Sequence, residues 1–188
     1  WVDGVERVNA WIDQPAKAYT TTLTLTGGQH NIQIEYYENG GWALAMAWYG
    51  AKGSRGSNIS ANATASASNT NPGNTPYYAF DNNTSTMWAA GYSAPQWVQG
   101  VFPWTRTLHS VNLLVTQNPA GNTTHNIYLT RNGGSTWILF RTLSGYTSEG
   151  QTLSFTFPGG TSANGLRVET TQSPSWPGWW NIYVYAVN

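Results

Sequence analysis

The chain has 188 residues, no cysteine and only 9% charged side chains, with eight basic and eight acidic groups giving zero net charge. That balance excludes the clustered Lys and Arg that hold a phosphate backbone, so nucleic acid is a poor partner, and it excludes a disulfide framework or a thiol nucleophile. No run of about 18 apolar residues is present, so no transmembrane segment is expected, and no charged leader with an apolar stretch opens the chain.

Nearly every ordered-looking run alternates with a period of two, the pattern of a strand with one face buried. Trp1-Val2-Asp3-Gly4 reads as a strand ending at a turn. Thr20 to Thr26 and Asn31 to Tyr37 read as strands, separated by Gly27-Gly28 and closed by Asn39-Gly40-Gly41. Gly50 to Ser57 is a Gly/Ser/basic stretch that reads as a linker. Beyond it, Val111 to Val115, Asn126 to Thr130, Thr152 to Phe157, Leu166 to Thr171 and Ile182 to Tyr185 read as strands. Asn132-Gly133-Gly134 and Pro158-Gly159-Gly160 punctuate them as turns. No helical stripe of useful length is found, so the chain reads as all-β. Residues 58–188 hold about eight strands, a fair size for one sandwich. Residues 1–49 hold about four, which leaves unpaired edges. Either a longer chain or a neighbouring chain would supply the missing strands, through strand exchange or a homo-oligomer.

With the segments placed, residues 58–188 resemble the discoidin family, also called the coagulation factor 5/8 type C or galactose-binding-like domain. The resemblance is carried by four blocks in order: Ala79-Phe80-Asp81-Asn82-Asn83-Thr84-Ser85-Thr86-Met87-Trp88, Pro95-Gln96-Trp97-Val98-Gln99, Arg131-Asn132-Gly133-Gly134-Ser135-Thr136-Trp137 and Trp179-Trp180-Asn181-Ile182-Tyr183-Val184-Tyr185. One departure is Gly100-Val101, where the family usually has an Asp-Leu pair. Residues 1–49 resemble the C-terminal third of a PA14 domain, through Trp1-Val2-Asp3-Gly4, Trp11-Ile12-Asp13-Gln14, Leu25 to Ile32, Glu35 to Gly41 and Ala45-Met46-Ala47-Trp48. The resemblances together imply a galactose-binding-like β-sandwich, or jelly roll, preceded by a partial PA14-like β-barrel fragment. The paired-aspartate ligand loop of sugar-binding PA14 members would fall before Trp1, so no separate PA14 ligand site is expected here.

The resemblance also implies one structural Ca2+ in the Asp81 loop. Its ligands would be the Tyr78 carbonyl, the Asp81 carboxylate, the Asn83 carbonyl and the Thr86 hydroxyl and carbonyl. The family's late glutamate falls on Asn181, which removes a charge from a site whose affinity depends on charge. The plainer reading of Asp81 is a turn residue capping backbone N–H groups.

With 11 Trp and 11 Tyr, and polar capacity carried by Asn, Gln, Ser and Thr, the composition suits a neutral, hydroxyl-rich ligand such as a sugar. Two loops, Gln117 to His125 and Gln172 to Trp180, share the form strand, Thr-Gln-polar-Pro, turn, strand, which suggests neighbours at one end of the sandwich. Trp176, flanked by Ser175 and Pro177, would stack on the sugar's C–H face. Gln172, Asn122 and His125 would bond its hydroxyls, with Gln117 beside them and Tyr92 and Trp104 as a second wall. Each has a structural alternative. His125 would be a core hydrogen-bonder, Asn122 and Gln117 would satisfy loop backbone, and Trp104, Trp179 and Trp180 would pack.

Catalysis is not expected, because no acidic residue occurs between Asp81 and Glu149, and a glycosidase needs two carboxyl groups about 5–9.5 Å apart. The leading reading is a non-catalytic carbohydrate-binding module of an extracellular, secreted multidomain protein that binds a glycan or polysaccharide. The alternative is an extracellular assembly subunit, an adhesin or fibre, in which residues 1–49 are completed by a neighbour.

Overall fold

The computed structural model describes residues 1–14, 19, 21, 23–25, 29–37, 39 and 56–187. The chain divides into two compact units, Trp1–Lys52 and Gly53–Asn188. Most of the expected linker lies outside the described residues, as do the Gly27-Gly28 and Gly40-Gly41 turns and Ala45 to Trp48.

In the first unit the chain reverses at Asp3 and Gly4, whose φ values are 51° and 76°. Val2 bridges both Val5 and Ile32. Asp3 fastens the turn: one carboxylate oxygen accepts the Asn31 N–H at 2.9 Å and the other meets His30 Nδ1 at 2.7 Å. The Asn31 amide, followed by His30, holds the Asp3 carboxyl below its ordinary range. Among the described residues, the strand expected over Asn31 to Tyr37 is only a single bridge at Ile32. Trp11, Ile12, Ile34 and Tyr36 are exposed. Alternation alone does not make a strand, and among the described residues the apolar face of this segment is exposed.

The second unit is built from nine strands: β1 (Ser57–Asn58), β2 (Thr64–Ala67), β3 (Trp88–Ala89), β4 (Gln96–Val115), β5 (Gly121–Thr130), β6 (Ile138–Thr147), β7 (Thr152–Thr156), β8 (Ser162–Gln172) and β9 (Gly178–Ala186). The order β1-β9-β4-β8-β5-β6 is antiparallel throughout, with β2 and β7 on β4 and β3 on β9. The 20-residue β4 serves two layers. Gln96 to Val101 pair with β2 and β8, then the register breaks before Arg106, and Leu108 to Val115 pair with β9. A strand that changes partners at a bulge is how a sheet folds over its own core.

Inward positions from both layers fill that core. Val98, Ile127, Leu166 and Val168 come from one layer, and Val111, Leu113, Ile182 and Val184 from the other, all fully buried. Trp88, Trp179 and Phe80 are the largest buried side chains, each worth about 1.5–3 kcal/mol of burial or somewhat more. Gly100, the departure from the family pattern, has a packing reason. A Cβ there would lie 2.8 Å from the Ala63 Cβ and 2.9 Å from the Phe80 ring. Among the described residues no helix is long and apolar enough to cross a membrane.

Candidate functional site

Three loops meet at one end of this unit. Gln96, which opens β4, pairs with Thr170 near the end of β8, and Val115, which closes β4, pairs with Trp179 at the start of β9. The segments before β4, after β4 and between β8 and β9 are therefore brought together. The Ala90 N–H donates to the Pro177 carbonyl at 2.9 Å, and a Cβ on Gly121 would lie 2.8 Å from Pro174 Cγ. Between the loops is a hollow of about 310 Å³ lined by Ser93, Asn118, Pro119, Ser173, Pro174, Ser175 and Trp176. Trp176 is 55% exposed and offers an indole to solvent beside hydroxyl and amide groups.

The other expected contacts separate. Tyr92 is 60% exposed, next in sequence to Ser93 of the hollow. Gln117 is buried, contrary to its expected role as a ligand contact. Its Nε2 donates to the Pro119 carbonyl and to Ser175 Oγ, both at 2.9 Å, and its Oε1 accepts from Ser173 Oγ at 3.1 Å. Its backbone N–H donates to Glu149 Oε2 at 2.7 Å. Glu149 Oε1 in turn accepts the Trp180 indole N–H. Gln117 is thus a brace that joins two loops from beneath, since a buried amide left unpaired costs free energy and each of its side-chain polar atoms is paired here.

His125 is also corrected. It is 3% exposed, its Nδ1 lies 2.9 Å from Thr170 Oγ1, and its ring meets Trp179 edge-on at 4.9 Å. Burial pushes the imidazole down to about 4, so it sits neutral under the loops, away from the solvent-facing surface of the hollow. The stretch Gly121 to His125, expected as loop, is the start of β5. Thr123 and His125 point inward there, while Asn122 is exposed and paired with Tyr146. Polar residues on the inward positions concealed the strand's alternation. Gln172 is the exposed last residue of β8, with Oε1 3.4 Å from Thr124 Oγ1. Asn122 and Gln172 therefore belong to the outer sheet surface and do not line the hollow. Ser93 and Asn118 do line it and were not singled out as contacts. Their sequence signal, polar residues beside Pro95 and Pro119, is shared by many loops.

The Asp81 loop follows a single 3-10 turn, Pro76–Ala79, that contains Tyr78. Asp81 Oδ1 accepts the Asn83 N–H at 2.9 Å. Asp81 Oδ2 and the Asn83 carbonyl lie 2.7 and 2.9 Å from Thr86 Oγ1. Two acceptors share one hydroxyl proton, and a cation would satisfy the three converging oxygens. The donor set thus fits calcium, weakly, since it holds a single carboxylate. Among the described residues no group of three His, Cys, Asp or Glu side chains comes together. Asn181 takes another part from the one expected. It is fully buried, and its Oδ1 accepts the Asn82 N–H at 3.0 Å where Asn82 adopts φ 62°. It pins the loop to β9, and its Nδ2 has no partner among the described residues.

Comparison with known proteins follows this geometry. The family model for the F5/8 type C domain matches residues 62–185. Curated protein sequences give no match. The family 32 CBM from C. perfringens NanJ, solved in complex with galactose, superposes with a TM-score of 0.60 at 20% identity, over 68% of this chain and 97% of its own. Chitosan-binding module 2 of a chitosanase/glucanase from Paenibacillus sp. IK-5, solved with chitotriose, gives 0.58 at 28% identity, over 69% of this chain and all of its own. The CBM32 of AlyQ, in complex with 4,5-unsaturated mannuronic acid, gives 0.55 at 21% identity, over 65% and 93%. No comparison supports the PA14 resemblance of residues 1–49. The nine-stranded unit, with its Asp81 loop pinned to β9 and its indole-bearing loops at one end, has the fold of these modules, and on the match over residues 62–185 the chain belongs to the F5/8 type C domain family.

Proposed function

We propose that the second unit is a non-catalytic carbohydrate-binding module that holds a neutral glycan at the hollow beside Trp176. The observation that carries this reading is a half-exposed indole standing over a polar hollow, on a fold whose neighbours include modules solved with sugars bound. A pyranose has an apolar C–H face and a rim of hydroxyls. The first stacks on Trp176, and the second is met by Asn118, Ser93 and Ser173. Exposed Tyr92, next in sequence to Ser93, would add a second aromatic surface beside the hollow. Gln117 does not touch the sugar and sets the distance between the two loops that do. The lining residues include no carboxylate, and both oxygens of nearby Glu149 are engaged in holding Gln117 and Trp180. The site is thus arranged for reversible binding, strengthened by multivalency in a secreted, extracellular multidomain protein.

Calcium is a structural addition to this reading. Asp81, Asn83 and Thr86 would hold it, with Tyr78 supplying a carbonyl, and it would staple the loop without entering the binding step. Residues 1–49 are proposed as the C-terminal part of a PA14-like unit. Exposed Trp11, Ile12, Ile34 and Tyr36 are surface that further strands, from this chain or a neighbour, would cover.

The test is a glycan array followed by calorimetry on wild type and Trp176→Ala. Loss of about tenfold in affinity is expected, which is about 1.4 kcal/mol and near the top of what an aromatic contact contributes beyond its buried area. The substituted side chain is more than half exposed, so thermal stability should hold. Glycan binding that survives Trp176→Ala unchanged would remove the site.

A further inference from the structure

Another hollow lies at the other end of the second unit. It encloses about 450 Å³ between the β5–β6 turn and the approach to β8. Ser162, the first residue of β8, lines it, whereas Ser173, just beyond the last, lines the hollow beside Trp176. The 11-residue β8 runs from one to the other, which is roughly 35 Å at a rise of 3.3 Å per residue. The two hollows share no residue.

Arg131 is the one charged side chain lining this hollow, and no carboxylate lines it. Its Nε donates to the Ser162 carbonyl at 2.8 Å, which fixes the guanidinium plane, and no other hydrogen bond or ion pair engages it among the described residues. The outer edge of the guanidinium is thus presented for a planar acceptor, the geometry that pairs bidentately with a carboxylate. Beside it Ile138 and Leu139 are 70% and 52% exposed, an aliphatic surface at the start of β6. Thr136 Oγ1 accepts from Asn132 Nδ2 at 2.9 Å, which leaves its own proton to donate. Half-buried Phe140 is the one aromatic ring in the lining, and the guanidinium is the one group there that selects by charge.

We propose that this hollow is a second saccharide site, selective for a sugar that bears a carboxylate, a uronate. The carboxylate pairs with Arg131, the C–H face of the pyranose lies on Ile138 and Leu139, and ring hydroxyls meet Thr136. One module then carries a neutral-glycan site and an acidic-glycan site at opposite ends, and it bridges two chains of a mixed polysaccharide. The Arg131 site stands apart from the Trp176 site, and only the bridging rests on both.

The experiment is an amide NMR titration of the full chain with digalacturonic acid and, separately, with neutral galactobiose. Digalacturonic acid is expected to shift amides in the β5–β6 turn and around Ser162, equally in wild type and Trp176→Ala. Arg131→Gln is expected to weaken that binding at least about tenfold with unchanged melting, and Arg131→Lys to restore part of it. Four results would each overturn the proposal: no shift at these amides, shifts confined to the Trp176 loops, equal binding of galactobiose there, or unaltered binding by Arg131→Gln. An extended apolar peptide that shifts the β6 amides where digalacturonic acid does not would overturn it too.

Discussion

Acidification should destabilise this protein through His125. The imidazole is 3% exposed, and among the described residues its hydrogen-bond and ring partners are the Thr170 hydroxyl and the Trp179 ring, neither of which offsets a positive charge. Its folded value is about 4, below the ordinary 6.5, because burial opposes the charged form. The unfolded chain therefore binds a proton below pH 6.5 that the folded chain refuses. The stability from this group is complete above pH 6.5, falls as pH drops, and is fully lost near pH 4. At about 1.4 kcal/mol per pH unit the whole loss is about 3 kcal/mol, of which about 2 kcal/mol is reached by pH 5. That is a large share of the ~5–15 kcal/mol that holds a domain together. The assay is urea unfolding at pH 7 and pH 5 on wild type and His125→Leu. The variant will differ in absolute stability, so the comparison is between slopes. Wild type should lose about 2 kcal/mol more than the variant over that interval. Equal losses in the two proteins, or an imidazole that titrates near 6.5 by NMR, would refute the reasoning.

Gln117→Ala removes one hydrogen bond each from Ser173, Ser175 and the Pro119 carbonyl, and should cost about 1–3 kcal/mol in urea unfolding while weakening glycan binding by loosening the loops. Binding that stays intact would show that the brace is not needed to hold the site. Gly100→Ala drives a methyl to within 2.8 Å of Ala63, and a destabilisation of about 1–3 kcal/mol should appear in the same assay. If calcium occupies the Asp81 loop, EDTA should lower the melting temperature of wild type and leave Asp81→Asn unmoved. Identical melting of wild type with and without chelator would remove the metal from the account.

The second unit's strands were legible where their inward positions are apolar. Leu113 and Val115, Ile127 and Leu129, and Ile182 and Val184 announce a period of two, and the burial follows it. The strands ran longer than their apolar runs. β5 begins five residues before Asn126 and β4 fifteen before Val111, through Thr, His, Gln and Trp positions that carry no clear hydrophobic alternation. The trace failed in the first unit for the opposite reason. Asn31 to Tyr37 alternates well, yet Ile32 and Ile34 are exposed among the described residues, because alternation prepares a face for a second layer and cannot supply one.

The candidate site divides the same way. Two Thr-Gln-polar-Pro loops were readable as a pair, and their approach rests on a contact no pattern encodes, Gly121 against Pro174. Within them Gln117 and Gln172 occupy equivalent places in the sequence. One is buried at the joint of the loops, and the other is exposed at the end of β8. A side chain's direction in a loop is set by the strands on either side and by the buried polar atoms it must satisfy, and both are properties of the assembled sheet. From sequence alone came the all-β class, the family blocks and the choice of Trp176 as the exposed indole, since composition, spacing and a proline-bracketed tryptophan are local features. The tertiary structure alone decided that His125 and Gln117 lie inside, that Gly100 makes room for Phe80, and that Arg131 stands at a second hollow, because each depends on what another part of the chain brings alongside it.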